Sequence, residues 1–349
     1  MIIGTEYTHG GDIYSHEVRL DFSVNVNPLG TPEAVKEAVR KAADSIAAYP
    51  DPCCTKLRAA LSELHGTDPS WILPGNGAAE LIYQFTAALR PKHALLPIPS
   101  FSDYEAALRA SDCGVTFWPL RREDGFSVTE RILPMITEDT DLVMLASPNN
   151  PTGRLVDREL LLRILGRCRE TGTWLFLDEC FGDLTDRGTP SLSEELTPSD
   201  RVFLLRAFTK TYAMAGLRLG YAVCPDRELL ARISMGSQPW NVSSIAQEAG
   251  ISALKCGDFL EKARKTLREE KAYLLTELRK LGISVLPGDA NFLMLQGVPG
   301  LYEGLLQRGI LIRNCGNYRG LLPGDCRIAV RTHAENEELL KAIGEVLHA

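Results

Sequence analysis

Lys210 and Arg218 share one segment, Arg206-Ala-Phe-Thr-Lys-Thr-Tyr-Ala-Met-Ala-Gly-Leu-Arg218, which sets an amine and a guanidinium a short, glycine-punctuated step apart. A lysine amine that has lost its proton condenses with aldehydes, and a guanidinium holds a phosphate through two parallel hydrogen bonds. Together they fit a ligand that is both an aldehyde and a phosphate. Just upstream, Val202 to Leu205 is a continuous apolar run of the kind that forms a strand covered on both faces. Open α/β folds gather ligands at the C-terminal ends of such strands. By residue type alone Lys210 reads equally well as a solvated surface charge, so the neighbouring strand ends must decide.

Those strand ends carry complementary groups. Gly75-Asn-Gly77-Ala78-Ala79-Glu80 follows a short strand and opens a helix over Leu81 to Leu89, so its backbone N–H groups can cradle an anion at the positive helix end. It is no dinucleotide fingerprint, because Glu80 or Ile82 stands where the third glycine would be. Phe101, in Pro99-Ser-Phe-Ser-Asp-Tyr104, offers a ring to stack on a flat heteroaromatic group. Asn150, in Ser147-Pro-Asn-Asn-Pro-Thr-Gly153, precedes a proline and is held extended, which leaves its amide to meet a ligand hydroxyl. Asp178, in Leu175-Phe-Leu-Asp-Glu-Cys-Phe181, puts a carboxylate inside an apolar run. An unpaired charge there is costly, and a protonated pyridine nitrogen would offset it. Each feature also has a plainer reading as a turn, a core ring or a structural ion pair. A stacking ring, a hydroxyl partner, a pyridinium partner, an amine and two phosphate sites in one chain point to pyridoxal 5'-phosphate, with Lys210 and Asp178 as the catalytic groups.

The elements that must position these groups follow from the apolar pattern. Runs at Trp71 to Leu73, Ala94 to Ile98, Val115 to Leu120, Leu142 to Ala146, Trp174 to Leu177, Val202 to Leu205 and Leu219 to Val223 alternate with helical or turn-rich segments. This predicts an α/β fold, a large domain with a mostly parallel mixed sheet covered by helices. Near Cys256 the pattern changes to one long amphipathic helix ended by Gly282. Strand pairs follow, Ile283 to Leu286 with Phe292 to Leu295 and Ile310 to Arg313 with Arg327 to Val330, and then a final helix, which together read as a small C-terminal α+β domain. The expected division is an N-terminal arm and helix (1–48), a large cofactor-binding domain (49–255) and the small domain (256–349).

Composition bounds the partners. At 349 residues the chain exceeds one compact core, and 45% hydrophobic residues supply two. The net charge of −7 is interspersed rather than blocked, which argues against nucleic acid. No apolar run is long enough to span a bilayer and the start lacks the pattern of a secretory signal, so a cytoplasmic protein without membrane contact is expected. The nine cysteines are odd in number and scattered, and neither they nor the histidines show metal-site spacing. Reduced, mostly buried thiols and no metal are expected.

Over nearly its whole length the chain resembles the fold-type I pyridoxal-phosphate enzymes of the aspartate aminotransferase superfamily, through Asn150-Pro-Thr-Gly, Asp178-Glu, Thr209-Lys210 and Gly216-Leu-Arg218. The resemblance implies that Gly77, Ala78, Ala79, Thr209 and Arg218 bind the cofactor phosphate. It also implies that Tyr49, in Tyr-Pro-Asp-Pro, reaches the phosphate of a partner subunit, and hence a homodimer with shared active sites. Phe181 stands where aminotransferases more often have a tyrosine against the cofactor. Within the superfamily the chain resembles two groups, the L-threonine-O-3-phosphate decarboxylases of cobalamin synthesis and the histidinol-phosphate aminotransferases. His9-Gly10-Gly, Asp21-Phe-Ser-Val-Asn-Val-Asn27-Pro-Leu-Gly30, Ile312-Arg313-Asn-Cys-Gly-Asn-Tyr-Arg-Gly-Leu321 and Arg327-Ile-Ala-Val-Arg resemble the decarboxylases. By this resemblance His9, Gly10, Asn27, Asn150, Arg313 and Arg327 bind a small phosphorylated amino acid. Histidinol-phosphate aminotransfer is the alternative activity.

Overall fold

A computed structural model describes residues 9–186, 188 and 191–348; the first eight residues of the expected N-terminal arm lie outside the described residues. The strands are β1 (Leu20–Asp21), β2 (Ile72–Gly75), β3 (His93–Ile98), β4 (Gly114–Pro119), β5 (Leu142–Ala146), β6 (Trp174–Asp178), β7 (Val202–Ala207), β8 (Gly220–Val223), β9 (Ser284–Leu286), β10 (Phe292–Gln296), β11 (Ile310–Leu311), β12 (Arg313–Asn314) and β13 (Cys326–Ala329).

The large sheet runs β2-β8-β7-β6-β5-β3-β4. Its contiguous run from β7 to β4 is parallel, and β8 alone is antiparallel to both its neighbours, β7 and β2. The run is parallel because helices such as Ala78–Leu89, Ser102–Ala110 and Arg158–Thr171 return the chain between strands. Strands β5 and β7 are buried along their whole length. Alternate side chains feed two cores: Val143, Leu145, Leu175, Leu177 and Leu204 pack on one face, Met144, Phe176, Phe203 and Leu205 on the other. This double burial is why the strands read as unbroken apolar runs in sequence.

The second sheet, β12-β13-β10-β9, is antiparallel throughout. The long helix Gly257–Lys280 covers it with a buried stripe of Ala263, Leu267, Leu274 and Leu278. Lys271 falls in the same stripe and is buried because its ammonium donates to Asp186 Oδ1 at 2.7 Å and to the carbonyls of Asp289 and Gly288 at 3.1 and 3.3 Å. One strand pairing differs from the sequence expectation. The segment expected as a single strand over Ile310 to Arg313 divides: Arg313–Asn314 pairs with β13, while Ile310–Leu311 pairs in parallel with β1. The cause is Phe22, which follows β1, fills the core under the small sheet, and accepts from the Ala329 N–H at 2.9 Å. The N-terminal stretch is thereby built into the wall that faces the large sheet.

Candidate functional site

The C-terminal ends of β6 and β7 supply the two central groups. Asp178 is the last residue of β6; its Oδ2 accepts from the Tyr104 hydroxyl at 2.6 Å and its Oδ1 from the Cys180 N–H at 2.8 Å. Burial pushes this carboxyl above the usual carboxylate range, against the pull of those two hydrogen bonds and of the Lys210 charge. Lys210 stands in the single helical turn Phe208–Thr211 that ends β7, with its Nζ 5.8 Å from the centroid of the Phe181 ring. Burial brings its amine down to about 8, with the Arg327 and Arg218 guanidiniums pushing the same way and Asp178 opposing them. An amine with that value reaches its nucleophilic, neutral form near physiological pH.

The lysine turn is held from behind. The Thr211 hydroxyl donates to Asp183 Oδ2 at 3.1 Å, and Arg206, buried in β7, donates to Asp183 Oδ1 at 2.5 Å and to Glu179 Oε2 at 3.1 Å. Asn27 completes the brace. Its N–H donates to the Lys210 carbonyl at 3.0 Å and its Nδ2 to the Thr211 carbonyl at 2.9 Å, while its Oδ1 accepts from the Leu29 N–H at 3.0 Å. Asn27, expected to bind substrate, is not among the residues that line the cavity, and its amide is engaged by backbone.

The phosphate side is built by close backbone approach. Gly77 has φ +86° and caps the helix Ala78–Leu89 without a side-chain hydrogen bond, so the first-turn N–H groups of that helix point outward. A Cβ on Gly77 would collide with the Arg218 guanidinium, and one on Gly220 would lie 2.5 Å from the Ala78 nitrogen. Arg218 is itself in the left-handed region at φ 54° and is steadied by a 3.0 Å bond to the Ala215 carbonyl. Helix N-terminus, guanidinium and the Thr209 hydroxyl surround one space, to which Ala78 and Ala79 contribute. This donor set suits a phosphate dianion. With Asp178 for a ring nitrogen, Lys210 for an aldehyde, and Phe101 and Asn150 lining the same cavity, the residues fit pyridoxal 5'-phosphate. Phe181 lines it as well, edge-on to Phe292 at 5.1 Å. Tyr49 does not: it is 78% exposed and stacks on Trp240 with ring centroids 4.4 Å apart.

The facing wall belongs to the small sheet and the N-terminal stretch. Arg313 on β12 and Arg327 on β13 are direct cross-strand partners, and both are buried. Like charges directly opposite destabilise a ladder, and anionic groups bound at each guanidinium would offset that cost. Arg327 donates to Asn150 Oδ1 and, at 2.8 Å, to the Ser23 carbonyl, and it lies over the Phe292 ring. Its buried Nε has no hydrogen-bond partner among the described residues. Arg313 donates to the Asn314 carbonyl and to Asn317 Oδ1 at 3.0 Å, and it sits over the Tyr318 ring. His9 approaches Phe101 at 5.6 Å between ring centroids, with its Nε2 3.2 Å from Asp103, and Gly10 lines the cavity beside it.

Sequence reasoning missed two residues of this site. Tyr104 lies one helical turn beyond Phe101, and its hydroxyl's partner is revealed only in space. Asn25 lines the cavity with a buried Oδ1 that has no hydrogen-bond partner among the described residues. Asn25 and Asn27 are alike in type and two positions apart in an extended stretch, so sequence alone does not tell which one faces the ligand.

Residues 17–343 match the family model for aminotransferase class I and II. The threonine-phosphate decarboxylase of Salmonella typhimurium is 40% identical over 97% of this chain and 96% of its own length. Among solved structures, the histidinol-phosphate aminotransferase of Clostridium acetobutylicum overlays with a TM-score of 0.88 at 28% identity, covering 94% of this chain and 99% of that one. The L-threonine-O-3-phosphate decarboxylase of Porphyromonas gingivalis overlays with a TM-score of 0.80 at 28% identity, covering 95% and 100%.

Proposed function

Because the chain belongs to the aminotransferase class I and II family and so uses pyridoxal 5'-phosphate, we propose that it decarboxylates L-threonine O-3-phosphate to (R)-1-aminopropan-2-yl phosphate in cobalamin biosynthesis. The directly opposed Arg313 and Arg327 carry the reading. They call for a substrate with two anionic groups, and threonine phosphate has a carboxylate and a phosphate. Arg327, braced by Asn150 and Ser23, takes the carboxylate. Arg313 takes the phosphate, with His9 and Gly10 lining the same cavity.

When bound, pyridoxal phosphate supplies a conjugated cationic ring that accepts the electron pair left behind as a bond to the substrate's α-carbon breaks. The chain's residues choose the bond. Arg327 fixes the carboxylate, so that the carbon–carbon bond to it is the one held ready to break. Asp178 keeps a positive charge on the ring nitrogen. Lys210 would carry a proton to the same carbon. One CO₂ leaves and one proton is gained, which balances the reaction.

Tyr49, exposed and outside its own cavity, supports a homodimer in which the Tyr49 of each subunit reaches the other's phosphate site. No helix among the described residues is long and apolar enough to cross a membrane, in keeping with a cytoplasmic enzyme. Aminotransfer from histidinol phosphate is the second reading, favoured by the closer overlay on the Clostridium acetobutylicum enzyme. Incubation of the holoenzyme with threonine phosphate separates the two. CO₂ release is expected; its absence, together with glutamate formation from 2-oxoglutarate and histidinol phosphate, would reverse the order.

A further inference from the structure

A second cavity of about 490 Å³ opens beside the catalytic one and shares Phe101, Arg313 and Tyr318 with it. Its outer wall carries Arg109, on the helix Ser102–Ala110, and Arg319, on the loop between β12 and β13. Glu105 is the one carboxylate among the described lining residues, and both outer arginines share it. Its Oε1 lies 2.6 Å from an Arg109 nitrogen and accepts from Arg319 at 3.0 Å, while its Oε2 is 3.3 Å from Arg319 Nε. Three guanidiniums therefore face one carboxylate, in a chain whose net charge is −7. Arg319 is further fixed by lying over the Phe117 ring at 4.3 Å. Ser100 and Ser102 also line it, the Ser102 hydroxyl donating to Asp103 Oδ1 at 3.5 Å.

A cleft lined by one sign of charge concentrates ligands of the other sign, and arginine forks match phosphate oxygens in pairs. We propose that this cavity is a docking subsite for phosphate-monoester dianions, where the phosphorylated substrate first settles before Arg313, common to both cavities, hands it to the catalytic one. Non-substrate phosphate monoesters and inorganic phosphate compete there. Glu105 sets the affinity, holding two guanidiniums in place while cancelling part of their charge. The inference rests on the function proposed above only for the substrate's phosphate.

The test compares wild-type holoenzyme with Arg109→Gln/Arg319→Gln and Glu105→Gln, measuring kcat and kcat/KM against ionic strength with whichever of the two phosphorylated substrates turns over. The double variant is expected to lose about tenfold in kcat/KM at low salt and little at high salt. Its kcat is expected to fall by less than about twofold, the mark of an effect on encounter rather than on chemistry. Glu105→Gln should raise kcat/KM at low salt. Calorimetric titration with inorganic phosphate provides a readout independent of turnover, and the double variant should bind it more weakly. If neither substrate turns over, the functional reading fails while this titration still decides the subsite. Unchanged salt dependence together with unchanged phosphate affinity overturns the proposal. So does a loss confined to kcat, which would make Arg319 a brace for the Arg313 loop.

Discussion

The two walls of the catalytic cavity manage charge in opposite ways. On the large-sheet wall, charges are balanced before any substrate arrives: Arg206 is matched by Glu179 and Asp183, and Asp178 faces Lys210. On the small-sheet wall, two guanidiniums oppose each other across one ladder position. A balanced wall holds the cofactor's reactive atoms in fixed register, where electrostatic effects count most because nothing must reorganise. In the proposed reading, the anionic groups of the substrate meet the guanidiniums of the other wall. Reaction chemistry and substrate selection are thus built into different elements that meet only in the folded chain.

That separation can be broken or sharpened by substitution. Lys210→Ala should abolish turnover and remove the visible absorbance of lysine-bound cofactor. Asp178→Asn should retain cofactor but lower kcat by about 10²–10³-fold, the usual cost of one electrostatic partner at the reacting group. Turnover by Lys210→Ala, or an unaltered kcat in Asp178→Asn, would remove the large-sheet wall from the chemistry.

Arg327→Met comes next. Deleting one member of a buried, hydrogen-bonded charged contact costs about 2–5 kcal/mol, which corresponds to a loss in kcat/KM of roughly 30-fold to several thousandfold. The carboxylate role proposed for Arg327 predicts that the cofactor's visible spectrum stays as in the wild type. A variant that lost cofactor instead would merge the two walls.

The smallest effect is one of pH. Because burial brings the Lys210 amine down to about 8, the neutral amine gains population as pH rises through that value, and its capture of the aldehyde should accelerate over the same range. Stopped-flow uptake of pyridoxal phosphate by apoprotein measures this. Arg327→Met removes a positive charge that helps depress Lys210, so its midpoint should move upward. An unmoved midpoint would mean that the walls are electrostatically independent.

The large-sheet wall was legible in sequence because each of its groups ends an apolar strand or opens a helix, where local pattern fixes position. Asp178, Lys210 and Asn150 needed only strand ends, and Gly77 with Ala78 only a strand-to-helix turn. Tyr104, on the helix Ser102–Ala110, escaped because its carboxylate partner ends a strand far away in sequence. The small-sheet wall was legible only as residue types. Arg327 is fixed by the Ser23 carbonyl, far away along the chain, and β11 pairs with β1 instead of extending β12.

The chain by itself therefore pointed to the cofactor and to candidates for its lysine and its carboxylate partner, since strand ends and helix starts are read from apolar periodicity and glycine placement, which are local properties. Only the tertiary structure decided which asparagine of the N-terminal stretch lines the cavity and which braces the Lys210 turn. It also decided that two arginines share one ladder position and that a second arginine-lined cavity adjoins the first. These depend on contacts between distant segments, and the solvation and pairing of a polar side chain are set by what folds against it, not by its neighbours in sequence.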